Sequence, residues 1–351
     1  MRVTSELEEL ASASWRLIRI FREPLSRQES LAQRGYHPST MSWRTVTDFA
    51  KRTPITLQLA DRLGRGRGQQ RWLDQINPPP PARLTPDLRG WENRELSAVW
   101  IGHATMLIRI GGKTILTDPV MSNRIGLGLW LMTLGPKRHI APALEVRQLP
   151  PLDLILISHS HFDHLDRPTL AQLPKKTPVI TASHTSDLIR DLGFRNITEL
   201  AWDEQEKLDG LTITARKVRH WGARTFFDKH RGYNAYLIES DKHRILYGGD
   251  TAQQDFFSDI GRVDLAMIGI SAYDPYIQAH TTPEQAWEMT RQMPADFVIP
   301  IHHSTFRLSH EPMDEPLRRM LAAAGKDAEK IVIREPGGAW TWQESAVPAR
   351  V

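Results

Sequence analysis

The stretch LILISHSHFDHLD, residues 154–166, carries more information about the fold than any other part of the sequence. Its aliphatic run is typical of a buried strand, and His159, His161, Asp163 and His164 follow it within six residues. Buried imidazoles and carboxylates are costly unless they are paired or coordinate a cation. Side chains that alternate along the chain can bind one ion, and those beyond the turn can bind a second. The segment therefore predicts a metal centre at a strand end rather than a histidine-rich surface loop.

Three more candidate ligands each follow a β-like run elsewhere in the chain. His220 ends LTITARKVRH, Asp250 follows RILYGG, and His302 follows FVIPI. The pair Gly248-Gly249 permits a sharp turn beside Asp250. Each residue alone would be interpreted as structural, but together they complete two histidine-rich ligand sets with one carboxylate able to bridge them.

The composition restricts both the metal ligands and the partners. The 351 residues include no cysteine, which excludes disulfides, thiolate ligands and a cysteine nucleophile. Two Zn²⁺ ions suit a histidine and carboxylate set, and Mn²⁺ or Fe²⁺ would fit the same ligands. A net charge of +4 and a pI of about 9.3 suit anionic substrates or an anionic membrane surface. Basic runs with interleaved aromatics are absent, so nucleic acid is not an expected partner.

The residue pattern changes near residue 95 and divides the chain into two parts. Residues 1–95 are expected to form an N-terminal extension with an amphipathic helix at 6–22, a basic loop at 64–68 and a polyproline linker at 77–82. Residues 96–351 are expected to form the main domain, which contains all the candidate ligands. Strands are predicted at 98–102, 105–110, 114–117, 153–158, 178–181, 211–218, 233–239, 243–248, 263–269, 296–301 and 329–333, with helices at 184–192, 283–293 and 313–325. Hairpins followed by alternating strands and helices indicate an α/β (α+β) sandwich of two sheets between helices.

One apolar segment allows two interpretations. Residues 125–134, IGLGLWLMTL, are too short to span a bilayer. They form either a buried loop or an apolar lip that receives a lipid chain beside the site.

The ordered motifs resemble the metallo-β-lactamase superfamily, closest to its N-acylphosphatidylethanolamine phospholipase D-like branch. Residues 159–164 match the signature HxHxDH. The other matching motifs, in order, are WIGHAT (100–105), TDP (117–119), GPKR (135–138), RHW (219–221), GGDT (248–251), ISAYDP (270–275), a histidine before Pro-Glu-Gln (280–285) and IHHSTF (301–306). The resemblance covers about residues 98 to 310 and implies a four-layer αββα sandwich.

The resemblance also implies roles for these residues. One ion would be bound by His159, His161 and His220. The other would be bound by Asp163, His164 and His302, with Asp250 bridging the two ions. Asp163 would also orient the nucleophile, a water shared by the two ions and deprotonated at neutral pH. His280 would contact the substrate or assist the leaving group, and His103 would support the ligand loop.

The implied activity is that of a phosphodiesterase of phospholipase D type acting on N-acylphosphatidylethanolamine-like lipids. The chain departs from the family at His303-Ser304, at 226–234 and at 125–134, all near the expected substrate pocket. The alternatives are a cytosolic lactonase or phosphodiesterase for a small polar substrate, similar to ascorbate-6-phosphate lactonases, and a non-catalytic metal-binding scaffold. β-Lactamase activity is not expected, because the enzymes devoted to it often use a cysteine at the second metal.

The expected cellular location rests on two segments not found in the sequence, a signal peptide and a membrane-spanning stretch. The acidic N-terminus MRVTSELEEL does not resemble a signal peptide, and no stretch reaches the roughly 18–20 apolar residues that span a bilayer. A cytoplasmic protein is expected, with peripheral contact to the inner membrane face as an option. The sequence leaves open whether the chain is a monomer or a homodimer.

Overall fold

Two β-sheets packed face to face form the centre of the molecule. The computed structural model describes residues 78–129, 132–225 and 228–343. The strands in these residues are β1 (Leu96–Gly102), β2 (Thr105–Ile110), β3 (Lys113–Thr117), β4 (Leu127–Leu129), β5 (Met132–Leu134), β6 (Leu154–Ile157), β7 (Val179–Ala182), β8 (Ile197–Leu200), β9 (Gln205–Leu208), β10 (Leu211–Arg216), β11 (Ala235–Glu239), β12 (Arg244–Tyr247), β13 (Val263–Gly269), β14 (Ala295–Ile301) and β15 (Ala339–Thr341). The helices are α1 (Arg167–Leu170), α2 (Pro283–Gln292) and α3 (Glu315–Ala324).

Strand direction is the feature of the sheets that positions the site. The first sheet has the order β15-β1-β2-β3-β6-β7-β8, and the second has the order β14-β13-β12-β11-β10-β9. In the first sheet β3 and β6 are parallel, and two successive antiparallel pairings make β1 parallel to β3. In the second sheet β12, β13 and β14 are parallel, and β10 runs the same way through β11. Strands of like direction in one sheet end at the same edge, so residues that follow them come together.

The alternation of side chains divides the core into layers. Along β1, Ala98 and Trp100 face the second sheet in the central core, whereas Val99 and Ile101 face outward. Helices α2 and α3 cover the outer face of the second sheet, and α1 with neighbouring 3₁₀ turns covers the outer face of the first. The α/β prediction of two sheets between helices is therefore confirmed.

Two predicted elements are wrong, and strands β4, β5, β8, β9 and β15 are not among the strands predicted above. Residues 184–192 form two 3₁₀ turns, Ser186–Leu188 and Arg190–Leu192, rather than one helix. Residues 329–333 are not a strand, because a 3₁₀ helix, Gly325–Lys330, occupies the start of the segment and Ile331 makes a single bridge to β14. The polar strands β8 and β9 lack the aliphatic runs from which strands were predicted.

The segment before β1 lies against the domain where it is described. Pro79 is buried, and the carbonyl of Pro80 accepts a hydrogen bond from Ala141 N at 2.8 Å. The predicted helix at 6–22 and basic loop at 64–68 lie outside the described residues, and the boundary near residue 95 stays a prediction. Within 125–134, residues 127–129 and 132–134 pair as the antiparallel strands β4 and β5, and Ile125 is buried against Val120 and Phe306. No helix in the described ranges has the length and apolar character needed to cross a bilayer.

Candidate metal centre

The predicted ligands meet at one edge of the sandwich because each follows a strand of like direction. In the first sheet, His103 follows β1, and the segment containing His159, His161, Asp163 and His164 follows β6. In the second sheet, His220 follows β10, Asp250 follows β12 and His302 follows β14. The structure therefore brings all seven predicted ligands together, with both sheets contributing. Their coordination of metal stays a prediction.

One group of four residues contains the first predicted set. One ligand atom each from His159, His161, His220 and Asp250 lies within 4.8 Å of the other three. His161 Nδ1 lies 2.9 Å from His159 Nε2 and 3.2 Å from His220 Nε2. Asp250 Oδ2 lies 3.9 Å from His159 Nε2 and 3.8 Å from His220 Nε2. Three imidazole nitrogens and one carboxylate oxygen thus surround a common point.

A second group contains the other predicted set and adds a residue to it. Ligand atoms of His103, Asp163, His164 and His302 also lie within 4.8 Å of one another. Asp163 Oδ2 is 3.0 Å from His103 Nε2, 3.2 Å from His302 Nε2 and 3.5 Å from His164 Nε2. His103, which was expected only to support the ligand loop, is therefore close enough to be a ligand itself.

Asp250 lies between the two groups. Its Oδ2 atom is 3.2 Å from both His164 Nε2 and His302 Nε2, in addition to its approach to the first group. In a tetrahedral site with bonds of 2.0–2.1 Å, neighbouring ligand atoms are about 3.3 Å apart. The measured separations of 2.9–3.9 Å bracket this value. The donor set therefore has the spacing that a pair of small cations sharing one carboxylate requires.

The ring orientations leave particular nitrogen atoms free for a cation. His159 Nδ1 hydrogen-bonds Ser158 Oγ at 2.9 Å, and His220 Nδ1 donates to the carbonyl of Ala279 at 2.9 Å. A histidine that uses Nδ1–H in this way presents an unprotonated Nε2. His164 Nε2 and Asp250 Oδ2 are buried and make no well-directed hydrogen bond within the described part of the chain. Because buried polar atoms are normally satisfied, both atoms fit the role of metal ligands.

The electrostatics of the site also favour a cation. Burial opposes ionisation of Asp163 and Asp250, but His164 and its neighbours outweigh burial and hold the pKa of both carboxyls well below the usual range. Burial also opposes the charged form of His164, yet Asp250, Asp163 and Asp118 raise its pKa well above the usual value. The two carboxylates therefore attract positive charge to the centre, which a proton or a metal ion can supply.

The histidines of the first group are suited to binding metal as neutral rings. Burial, followed by the neighbouring His164, lowers the pKa of His159 well below its ordinary value. Burial and His220 lower the pKa of His161 to about 3. Burial also lowers the pKa of His220. Neutral imidazoles offer a lone pair at neutral pH, which is the form that binds metal.

Asp118 joins the two sheets beneath the centre. Its Oδ2 atom accepts hydrogen bonds from His164 Nδ1, Ser158 Oγ and Tyr247 OH, each at 2.6 Å, and its Oδ1 accepts from Ser158 N at 2.7 Å. Ser158 in turn contacts His159. A carboxylate behind a ligand histidine fixes the tautomer and orientation of its ring. Asp118 therefore orients ligand histidines of both groups, His164 directly and His159 through Ser158. The sequence analysis identified Asp118 only as part of the TDP motif.

We expect Asp118→Asn to weaken metal binding by about 10–100-fold, because asparagine has one accepting oxygen and an NH2 group where the two carboxylate oxygens of Asp118 accept four hydrogen bonds. Competition with a fluorescent chelator measures the Kd for zinc. The control is Asp264→Asn. This carboxylate also pairs with a histidine, His243 Nδ1 at 3.2 Å, but the pair lies where β12 and β13 begin, at the end of these strands away from the metal centre. Unchanged zinc affinity in Asp118→Asn would show that this carboxylate does not orient the ligands.

Arg224 holds the loop that contains four of the ligands. Its Nη1 atom donates to the carbonyls of Ser160 at 2.8 Å and Leu165 at 2.9 Å, and its guanidinium lies 3.9 Å from the centre of the Phe162 ring. Ser160 Oγ donates to the carbonyl of Gly222. Hydrogen bonds to the main chain on both sides of the loop restrict its conformation. The sequence contained no signal for this role, because the interaction is with backbone atoms about 60 residues away.

Left-handed backbone occurs at several residues of the site. His103, Asp118 and His302 have φ angles of 53°, 32° and 63°. Such conformations cost about 1–3 kcal/mol each in residues other than glycine and concentrate at functional sites. Gly249 has a φ of 55°, and a Cβ there would lie 2.8 Å from the carbonyl oxygen of Asn234. The predicted turn before Asp250 is confirmed, and it requires glycine.

His280 lies beside the cluster at the start of a helix. Its Nδ1 atom is 3.8 Å from Asp250 Oδ2, and it forms a third close group with Asp250 and His302. The turn that follows leads into α2, whose first turn is stabilised by a capping box of Thr282 and Gln285. Burial lowers the pKa of His280 well below its ordinary value. The structure thus places His280 next to the ligands, and its role toward substrate stays a prediction.

Comparison with known proteins identifies relatives. A family described as "Beta-lactamase superfamily domain" matches residues 113–303. An uncharacterised protein of Mycobacterium tuberculosis is 30% identical over 265 residues, covering 72% of this chain and 70% of that protein. A Caenorhabditis elegans protein named N-acyl-phosphatidylethanolamine-hydrolyzing phospholipase D 1 is 30% identical over 271 residues. The match covers 70% of this chain and 75% of the Caenorhabditis elegans protein.

Solved structures are similar in fold at lower identity. The crystal structure of an isothiocyanate hydrolase from Delia radicum gut bacteria has a TM-score of 0.57 and 20% identity, covering 70% of this chain and 98% of that one. At this identity the likeness concerns the fold of the two sheets alone.

Proposed function

Because the chain belongs to the β-lactamase superfamily and is a metal-dependent hydrolase of that fold, we propose that it cleaves the phosphodiester bond of N-acylphosphatidylethanolamine-like phospholipids, as a phospholipase D. One observation carries this proposal: Asp250 Oδ2 lies within 3.2–3.9 Å of histidines from both ligand groups. A shared carboxylate of this kind suits a pair of ions acting on one phosphoryl group. The similarity to the Caenorhabditis elegans phospholipase D supports the lipid substrate.

The proposed ligands are the seven residues predicted from the sequence, with Asp250 shared. They would hold two Zn²⁺ ions, or Mn²⁺ or Fe²⁺ in the same positions. When bound, such ions activate water at neutral pH and neutralise charge on the reacting phosphoryl group. Asp163, which accepts hydrogen bonds from His103 and His302, would orient the nucleophile. His280 would assist the leaving group as a neutral ring, by donating a hydrogen bond to the leaving oxygen, because it borders Asp250 in the turn before α2.

A substrate panel tests this function. The zinc-loaded protein is expected to release phosphatidic acid from vesicles containing N-acylphosphatidylethanolamine, and to hydrolyse a bis-aryl phosphodiester. His280→Ala should slow the lipid reaction by about 10²-fold, because a hydrogen-bond donor to the leaving oxygen is lost. It should slow the aryl diester less, because a phenolate leaving group carries its negative charge more readily and needs less stabilisation. Mass spectrometry of the lipids and absorbance of the phenol measure the two rates.

The same panel includes several lactones, and binding of the protein to vesicles is measured alongside it. Lactone turnover at least tenfold faster than that of either phosphodiester would replace the proposal with a lactonase acting on a small polar substrate. Flotation with anionic vesicles tests the proposed peripheral contact with the membrane. A protein that binds metal but hydrolyses none of these compounds would be a metal-binding scaffold.

A further inference from the structure

Exposed apolar side chains are concentrated around one of the ligand histidines. Four large apolar residues of the described chain are exposed: Leu84, Trp202, Trp221 and Ile277. Trp221 stacks on His220, Trp202 is linked to His220 through Tyr233, and Ile277 lies in the turn whose Ala279 carbonyl accepts a hydrogen bond from His220. Single exposed apolar residues are ordinary, but a group of them beside a reaction centre indicates a binding surface.

Trp221 makes the closest of these contacts. Its ring is stacked on His220 with centroids 5.4 Å apart and an interplanar angle of 5°, and it lies 5.6 Å from the ring of His161. It nevertheless keeps 49% of its surface exposed. One face of the indole thus packs against two candidate metal ligands, while much of the ring borders solvent.

Ile277 lies in a turn that is hydrogen-bonded to the same histidine. His220 Nδ1 donates to the carbonyl of Ala279, and the amides of Ala279 and His280 both donate to the carbonyl of Tyr276. These bonds close a turn over 276–280 that is held against His220. Ile277 is exposed within that turn and precedes His280 by three positions in the sequence.

Two further rings continue the surface outward. Tyr233 lies 6.3 Å from His220, ring centre to ring centre, and Trp202 lies 5.4 Å from Tyr233. The indole Nε1 of Trp202 donates to the carbonyl of Tyr233 at 2.8 Å, which fixes the exposed ring in place. We call the four side chains of Trp221, Ile277, Tyr233 and Trp202 the apolar ledge.

We propose that the apolar ledge binds the alkyl or acyl chain of the substrate while the phosphoryl group of the same molecule lies at the metal centre. This inference rests on the proposed function. It commits to a substrate chain as occupant because the ledge is continuous with the centre: the ring of Trp221 touches His220, whose Nε2 faces the cluster. A group attached to a phosphoryl there and directed toward His220 would meet the ring of Trp221, which is stacked on that histidine. Covering apolar surface of this kind stabilises the complex in proportion to the area removed from water.

Binding of alkyl monophosphates tests the ledge without relying on turnover. Methyl, butyl and octyl phosphate, below micelle-forming concentrations, are titrated calorimetrically into the zinc-loaded full chain. Octyl phosphate is expected to bind on the order of tenfold more tightly than methyl phosphate. This ratio should fall below about threefold in Trp221→Ser and in Ile277→Ser. It should persist in Trp221→Phe, which keeps an aromatic ring, and in the control Leu84→Ser, which removes an exposed apolar side chain beside Gly337.

Two variants are needed because Trp221 contacts two candidate ligands, and the zinc content of each variant is measured for the same reason. Equal affinities for methyl and octyl phosphate in the unaltered protein, or a ratio that survives both serine substitutions, would overturn the proposal. A dimer in sedimentation that Trp221→Ser dissociates would assign the ledge to a second copy of the chain instead. Chain-length-dependent binding without diester turnover would refute the proposed function and leave the ledge intact, whereas turnover without chain-length dependence would refute the ledge alone.

Discussion

Replacement of Asp250 by alanine is expected to reduce hydrolysis at least about a thousandfold and to lower the bound metal to one ion or fewer per chain. Asp250 Oδ2 approaches His159, His164, His220, His280 and His302 within 3.9 Å. Its loss therefore removes a ligand from both groups, together with the negative charge that offsets two cations. Removal of a single oriented electrostatic group already costs about 10²–10³ in rate, and here the cations themselves are lost.

Metal analysis and diester turnover of the same preparation measure this prediction. Asp250→Asn keeps the volume of the side chain and separates loss of charge from loss of packing. Asp264→Ala, near the start of β13 and away from the site, is the control for removal of a carboxylate that pairs with histidine. An Asp250→Ala protein with two bound ions and full turnover would contradict the shared-carboxylate site.

Removal of metal with a chelator is expected to lower the midpoint of thermal unfolding by on the order of 10 °C. The two carboxylates and the surrounding imidazoles are nearly all buried, and a cation that binds only the folded chain stabilises it by about 4 kcal/mol at a thousandfold excess over Kd. For a domain of this size each kcal/mol corresponds to roughly 2–4 °C. Differential scanning calorimetry of the metal-free and reloaded protein measures the shift.

Zn²⁺, Mn²⁺ and Fe²⁺ should each restore the midpoint, in the order of their affinity for the site. Mg²⁺ should not restore it, because that ion prefers an octahedral shell of oxygen ligands. Asp250→Ala provides a second comparison, since its midpoint should respond less to added zinc than that of the unaltered chain. A midpoint that is the same with chelator and with excess zinc would show that the cluster does not bind metal in the folded protein.

The sequence allowed the site to be predicted further than the fold around it. Each predicted ligand follows a strand, and most of these strands are aliphatic runs that periodicity identifies. The shared direction of those strands brings the ligands to one edge of the sandwich. The pattern could not show that His103 approaches Asp163 at 3.0 Å, because both residues lie in loops that follow strands of the first sheet, and their separation depends on how those loops fold.

Interactions between distant segments explain what was missed. Asp118 is a single carboxylate in a short motif, and only the packing of β12 against β3 brings Tyr247 to it. In 184–192 a helical pattern is overridden, since the Glu199 carboxylate accepts from the amides of His184, Thr185 and Ser186 and holds the chain in a different turn. Residues 329–333 do include an aliphatic run, as a strand would. The preceding 3₁₀ helix extends to Lys330, however, and only one β-bridge forms, between Ile331 and Val298 of β14.

The division of the ligands between the two sheets has a consequence for biosynthesis. The segment 159–164 is made early, whereas His302 comes more than 130 residues later, after most of the second sheet. A growing chain on the ribosome cannot assemble the second group until β14 has emerged and docked. Capture of metal is therefore a late event, which reports that both halves of the sandwich have come together.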